Sequence, residues 1–154
     1  MDILSEYTDF VRRLEAAGIE YATCGGLAMA VHGYVRATKD LDFLIRPSDV
    51  DRAFEVARNC GFDIEGLPLD FDGGKFQLRR ISKVDRQTKS LITVDFILVT
   101  ENIEDVWEDR EHLDWDTGSA WVVSRRGLIK MKSSAGRDQD LLDIRKLEEG
   151  EDEG

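Results

Sequence analysis

Hydrophobic and polar positions follow a spacing that changes from helical to strand-like and back along the first part of the chain. Apolar residues recur at steps of three and four over residues 3–14, which predicts an amphipathic helix that ends near Gly18. Shorter apolar runs predict a strand over 20–24, a helix over 27–32 and a strand over 40–45.

The rest of the pattern predicts a mixed sheet covered by helices. Ser48 is expected to cap a helix that ends at Gly61, and residues 62–74 are typical of a loop that could enclose a short strand. The further predicted elements are two antiparallel strands at 76–81 and 91–99, a helix at 101–110, an edge strand at 121–123, and helices at 124–134 (capped by Ser124) and 137–147. The fold class is therefore predicted as α+β, a two-layer arrangement of a mixed β-sheet with helices packed against it.

Length and composition restrict the class of protein without selecting a function. The 154 residues are expected to form one domain over 1–147, with C-terminal helices from about 124 and an acidic, frayed tail at 148–154. A net charge of −11 argues against a broad nucleic-acid-binding surface. No long apolar run, no signal-peptide pattern and only two cysteines lead us to expect a cytoplasmic protein with reduced thiols and no membrane segment.

Three aspartates provide the candidate chemistry. Asp40 and Asp42 are two residues apart on a predicted strand, so both side chains should lie on one face of the sheet. Asp95 interrupts an otherwise apolar strand, where an unpaired charge would cost several kcal/mol. One explanation is an ion pair between Asp95 and Arg79 or Arg80. The other is that all three carboxylates meet in the sheet and share a cation.

A shared cation among three carboxylates favours metal-assisted phosphate chemistry. Mg²⁺ takes oxygen ligands and shares its coordination shell with substrate phosphates. Two such ions would clamp the attacking and leaving oxygens of an in-line displacement. The pair Gly25-Gly26 opens a predicted helix, where the backbone can approach a phosphate closely. Neither a Walker loop nor a Rossmann fingerprint occurs in the sequence.

These motifs carry a resemblance to a known family. Gly25-Gly26, the Asp40-x-Asp42 pair and the later Asp95 resemble the nucleotidyltransferase superfamily with the DNA polymerase β-type core. The run GGLAMAVHGYVRATKDLDFLI is similar to small bacterial members, including toxin–antitoxin-type proteins and those that modify aminoglycosides or lincosamides. The end LIKMKSSAGRDQDLLDI, with Lys132, Arg137, Asp140 and Asp143, matches more loosely, so the resemblance spans about residues 20–147.

The resemblance implies an activity and a role for each matched position. Asp40 and Asp42 would hold two Mg²⁺ ions that bridge to a nucleoside triphosphate. Asp95 would help to position the second ion and activate the acceptor hydroxyl, while Gly25 and Gly26 would hold the triphosphate. The implied function is transfer of a nucleoside monophosphate to an acceptor, which could be RNA, a protein or a small molecule. The alternative is a non-catalytic protein of the same fold that acts as one partner of a toxin–antitoxin-type pair, or as a homo-oligomer.

Several basic residues are further candidates for phosphate binding. Arg36 and Lys39 precede the predicted metal-binding strand, and Lys132 lies on a predicted helix. Each could neutralise phosphate charge or simply be solvated. A local basic group that would suit an RNA end, or could merely line an exposed hairpin, comprises Arg79, Arg80, Lys83, Arg86 and Lys89.

Overall fold

A computed structural model describes residues 3–34, 38–115 and 118–135, together with residues 145, 147 and 148. The helices are α1 (Ile3–Ala16), α2 (Gly25–Val31), α3 (Val50–Asn59), α4 (Glu104–Glu108) and α5 (Arg125–Ala135). The strands are β1 (Tyr21–Cys24), β2 (Asp40–Ile45), β3 (Ile64–Glu65), β4 (Leu69–Phe71), β5 (Phe76–Val84), β6 (Leu91–Leu98), β7 (Glu111–Trp115) and β8 (Gly118–Val122). Short 3₁₀ turns precede α3, β5 and α4.

The described strands form one mixed sheet in the order β3-β5-β6-β2-β1-β8-β7, with β4 also paired to β5. Strands β2 and β6 are parallel, as are β1 and β8, whereas the other pairs are antiparallel. The predicted α+β fold class is thus confirmed, and so is the antiparallel pairing of the strands at 76–81 and 91–99. The predicted bounds of β2 are also those observed.

An aromatic cluster fixes helices α1 and α3 to one face of the sheet. Phe10 of α1 lies 5.4 Å from Phe43 of β2 and 6.0 Å from Phe96 of β6, measured between ring centroids. Phe54 of α3 contacts the same Phe96 ring at 5.8 Å. Because alternate residues of a strand point to opposite faces, Asp42 and Asp95 lie on the face away from α1 and α3. The aromatic core therefore sets the orientation of the acidic residues.

The structure differs from the predicted elements at three places. The strand at 121–123 is part of β8, which lies between β1 and β7 and is not at the edge. The edge strand β7 was not predicted, because four of its five residues are exposed and its sequence shows no clear hydrophobic alternation. Ser48 does not cap α3: it lies in a 3₁₀ turn, and Asp49 occupies the N-cap position without a side-chain hydrogen bond.

Two other expectations concern the C-terminal half. Residues 62–74 include two short strands, β3 and β4, both paired to β5. Ser124 caps α5 as predicted, since its hydroxyl accepts a hydrogen bond from the Gly127 amide at 3.1 Å. The predicted helix at 137–147 lies outside the described residues, apart from Arg145 and Leu147. In the described part of the chain, no helix has the length and apolar character needed to cross a bilayer.

Candidate active site

The sheet brings two of the three predicted carboxylates directly opposite each other. Asp42 of β2 and Asp95 of β6 are cross-strand partners in the parallel pair, and Asp40 lies opposite Thr93 on the same face. Asp40 is exposed, Asp42 is partly buried and Asp95 is almost fully buried. The three carboxylates thus differ in exposure from solvent-exposed to buried, on central strands and on the sheet face opposite α1 and α3.

Asp95 is held by an arginine from the neighbouring strand. Arg80 of β5 is the cross-strand partner of Asp95. Its Nε donates to Oδ1 at 2.7 Å and its Nη2 donates to Oδ2 at 2.9 Å. This bidentate pair uses both carboxylate oxygens and is the strongest geometry available to an arginine and an aspartate. Of the two arginines that the sequence offered as partners, Arg80 makes the contact.

The negative charge of Asp95 makes ionisation of the other two carboxyl groups, Asp42 and Asp40, less favourable. Burial, followed by the charges of Asp95 and Asp40, raises the pKa of Asp42 from 3.8 to about 7. The pKa of Asp40 is also raised, first by burial and then by the charge of Asp95. Arg80 acts in the opposite direction on both groups. The site therefore favours a positive charge beside Asp42.

Gly25 lies directly against the Asp42 carboxylate. It has a φ of +66°, and a Cβ at this position would lie 2.0 Å from Oδ2 of Asp42. Only glycine fits both the backbone conformation and the space. The neighbouring Gly26 is less constrained, because its Cβ would meet the Thr38 side chain at 3.2 Å. Packing against Asp42 and Thr38 thus explains why glycines occupy positions 25 and 26, independently of any contact with phosphate.

Two further residues line the same region. Lys132 of α5 is 8% exposed, and its charge partly offsets the raised pKa of Asp42. Cys24, the cross-strand partner of Asp42, is buried, and burial raises the pKa of its thiol well above the usual value. Lys39 is exposed at the start of β2. Arg36 lies outside the described residues.

The three aspartates match Mg²⁺ in chemistry, and their arrangement would have to change to bind it. All donors are carboxylate oxygens, and the like charges of Asp42 and Asp95 on adjacent strands favour a divalent cation between them. The described residues contain no group of three acidic, histidine or cysteine side chains already placed to hold a metal ion. Both oxygens of Asp95 are instead engaged by Arg80.

Sequence reasoning considered two further residues at this site without choosing either as a site residue. Arg80 appeared only as one of two possible partners of Asp95, and the register of β5 against β6 was needed to select it. Thr38 accepts a hydrogen bond from the Asp40 amide at 3.2 Å and packs over Gly26. A threonine two residues before a strand carboxylate is a weak signal, because such residues often serve only a turn.

A separate cleft lies beside His32, and none of Asp40, Asp42 and Asp95 is among the residues that line it. It has a volume of about 420 Å³ and includes Arg125 and Arg126 at the start of α5. The Nε2 atom of His32 lies 2.9 Å from the carbonyl oxygen of Val123, so Nε2 carries the proton and donates. His32 thus ties the end of α2 to the residue that follows β8, which is a structural role.

The predicted basic group does not form one surface. Arg79 pairs with Asp70, Arg80 pairs with Asp95, and Lys83 binds Glu6. Arg79 and Lys83 share one face of β5, and Arg80 lies on the other. Three of the five basic residues are therefore engaged within the chain and divided between two faces.

No protein-family model matches the sequence, and no curated protein sequence matches it either. Among solved structures, the lincosamide antibiotic adenylyltransferase LnuA in its lincomycin-bound form has a TM-score of 0.63 at 11% identity, over 94% of this chain and 95% of that one. ANT(2″)-Ia in complex with adenylyl-2″-tobramycin has a TM-score of 0.64 at 9% identity, over 94% and 86% of the two chains. A Thermotoga maritima protein assigned to the nucleotidyltransferases gives 0.64 at 13% identity, over 93% and 90%. At these identities the likeness is one of fold.

Proposed function

Because the chain adopts the fold of the nucleotidyltransferases, we propose that it transfers a nucleoside monophosphate from a nucleoside triphosphate to an acceptor hydroxyl. The observation that carries this proposal is the direct cross-strand pairing of Asp42 and Asp95, with Asp40 on the same face. A generic phosphate-binding protein has no need for three carboxylates at one position, since they would repel the phosphate unless a cation lies between.

The roles of the carboxylates follow from their position in the sheet. Asp40 and Asp42 would hold Mg²⁺, which when bound offsets the charge of the triphosphate and polarises its phosphorus–oxygen bonds. Asp95, the most buried of the three, would help to hold the second ion together with Asp42, orient the acceptor and accept the proton of its hydroxyl. The acceptor oxygen forms a bond to the α-phosphorus while the bond to the bridging oxygen breaks, and pyrophosphate leaves.

Glycine and lysine residues would hold the donor nucleotide. Gly25 lies against the Asp42 carboxylate, so a triphosphate held beside Asp42 would lie next to the Gly25 backbone. Gly26 is buried, and we assign it to the same role as the second residue of the glycine pair. Lys132 on α5 and Lys39 before β2 are the positive charges of the described region that we assign to phosphate binding. Arg36 is included for its place in the sequence shortly before β2.

For the acceptor we propose a hydroxyl-bearing small molecule. The structural relatives LnuA and ANT(2″)-Ia are described with lincomycin and with adenylylated tobramycin. The net charge of −11 and the engagement of Arg79, Arg80 and Lys83 in ion pairs disfavour an RNA acceptor. Binding of RNA that weakens steeply with salt would contradict this choice.

The test uses labelled nucleoside triphosphates, a small-molecule extract as the source of acceptors, and Mg²⁺. Wild type should transfer label, and Asp42→Asn should lower the rate by about 100-fold or more. Asp51→Asn makes the same charge change on α3, on the other side of the sheet, and should retain activity. The alternative of a non-catalytic toxin–antitoxin-type partner predicts no transfer by wild type and a copurifying protein that binds Asp42→Asn equally well.

A further inference from the structure

The two side chains of the Arg80–Asp95 ion pair differ in their solvent exposure. The Arg80 side chain is 46% exposed, whereas that of Asp95 is 7% exposed. A buried carboxylate without a positive partner is costly, so Asp95 needs a cation at all times. For the guanidinium itself the move into solvent is inexpensive, because a half-exposed group is already largely hydrated. The cost of separating the pair falls on Asp95. Arg80 is therefore the partner that can move.

The same contact competes with metal binding. Arg80 donates to both oxygens of Asp95, at 2.7 and 2.9 Å. Each oxygen keeps a second lone pair, but a divalent ion bound there would lie within a few ångströms of the guanidinium charge. Two cations at that separation repel each other. A metal ion shared by Asp42 and Asp95 thus requires that Arg80 withdraw from at least one oxygen.

We propose that Arg80 is a positioning residue that holds Asp95 in place of the metal ion and yields it when the metal binds. The buried carboxylate stays paired throughout: first with the guanidinium, then with the metal ion. Arg80 thereby holds the Asp95 carboxylate in one orientation before any metal arrives. The cost of displacing it weakens metal binding in the absence of nucleotide. This inference rests on the nucleotidyl transfer proposed above.

The chain supplies a matched control at the adjacent position. Arg79 is on the same strand and carries the same charge, but it points to the opposite face and pairs with Asp70 at 2.8 Å. Arg79→Ala and Arg80→Ala therefore change the net charge equally. Only Arg80→Ala removes the guanidinium that binds Asp95.

The experiment measures Mn²⁺ binding to the full-length protein by electron paramagnetic resonance of free Mn²⁺, without nucleotide or turnover. Arg80→Ala should bind Mn²⁺ about tenfold more tightly than wild type, and Arg79→Ala should stay within about twofold. Combining Arg80→Ala with Asp95→Asn should remove most of the gain, because the effect acts through Asp95. Arg80→Lys, which keeps the charge but not the two-point contact, should give a smaller gain and serves if Arg80→Ala does not fold.

The outcomes separate this inference from the proposed function. Equal Mn²⁺ affinity of Arg80→Ala and Arg79→Ala, or a gain that persists in full with Asp95→Asn, would overturn the role of Arg80 while leaving metal binding intact. Weaker binding by Arg80→Lys than by wild type would also overturn it. If wild type binds no more Mn²⁺ than Asp42→Asn does, the metal-dependent function itself fails.

Discussion

A Cβ atom on Gly25 would lie 2.0 Å from Oδ2 of Asp42. No carbon can approach an oxygen so closely, and the atom in the way belongs to a carboxylate of the candidate active site. Gly25 and Asp42 are thus fitted to each other, and the side chain of Asp42 can keep its position only while residue 25 has none.

Gly25→Ala is expected to displace Asp42 and abolish transfer. Gly73 provides a matched control, because its φ of +67° is nearly that of Gly25 and a Cβ there meets no atom within 4 Å. Gly73→Ala should cost about 1–2 kcal/mol for the left-handed backbone alone. Gly25→Ala should lose more stability than this and also lose activity, as measured by denaturant unfolding and the labelled-transfer assay. Equal stability losses with retained activity would contradict the contact.

A buried ion pair that joins β5 to α1 leads to a prediction about stability. Lys83 donates to both carboxylate oxygens of Glu6 at 2.9 Å, and the two side chains are 12% and 9% exposed. Glu6→Ala would leave the Lys83 ammonium buried without its carboxylate. We expect the free energy of unfolding to fall by about 3 kcal/mol.

The control for Glu6 lies one turn further along the same helix. Asp9 pairs with Arg13, and both side chains are nearly half exposed. Asp9→Ala should change the free energy of unfolding by about 0.5 kcal/mol or less. Urea denaturation of the two variants at one pH measures the difference. A similar loss in both would show that burial of the Glu6 pair adds nothing.

How far the sequence predicts this site can be judged from Arg79 and Arg80. The strand alternation places Asp40 and Asp42 on one face, because that depends only on neighbouring residues, and the structure agrees. The partner of Asp95 depends on the register of β5 against β6, and a shift of one residue would exchange Arg80 for Arg79. The register is set by packing against the rest of the sheet, and the local sequence pattern holds no information about that packing.

The same distinction applies to the fold. The strands β2 and β6 are apolar on one face, and the existence and type of β2, β5 and β6 agree with the prediction. Strand β7 is exposed along most of its length, so its sequence has no buried face to mark it. The adjacency of β2 and β6, which brings Asp42 to Asp95, is a contact between distant parts of the chain. The sequence offered it as one of two explanations of the buried Asp95, and the resemblance to the nucleotidyltransferases, whose fold this chain adopts, favoured it.

The raised pKa of Asp42 predicts how stability depends on pH. With a folded pKa of about 7 against 3.8, the folded protein retains a proton that the unfolded chain has lost between these values. Ionisation of Asp42 therefore costs stability progressively as pH rises from about 4 to about 7, after which the cost is constant. Asp42→Asn removes this cost, so we expect it to be more stable than wild type by about 2–4 kcal/mol at pH 8 and similar at pH 4.

Thermal or urea unfolding of both proteins across this pH range, in the absence of divalent ions, checks the prediction. Asp114→Asn makes the same change at an exposed carboxylate and should show no comparable gain. Mg²⁺ should stabilise wild type more than Asp42→Asn, because a bound cation offsets the charge of Asp42. A difference between Asp42→Asn and wild type that stays constant from pH 4 to pH 8 would contradict the raised pKa.

Lys132 leads to the last prediction, about the donor nucleotide. Its charge is buried on α5 and acts on Asp42, whereas the nearby Lys130 is more exposed and donates to Asp105 at 2.6 Å. If Lys132 binds the triphosphate, Lys132→Met should weaken binding of a non-hydrolysable nucleoside triphosphate with Mg²⁺ by about tenfold. Lys130→Met, on the same helix, should stay within about twofold. Calorimetry measures both affinities. Methionine replaces the buried lysine with an apolar chain of similar length, so we expect Lys132→Met to stay folded. Equal nucleotide affinities of Lys132→Met and Lys130→Met would exclude Lys132 from the nucleotide site.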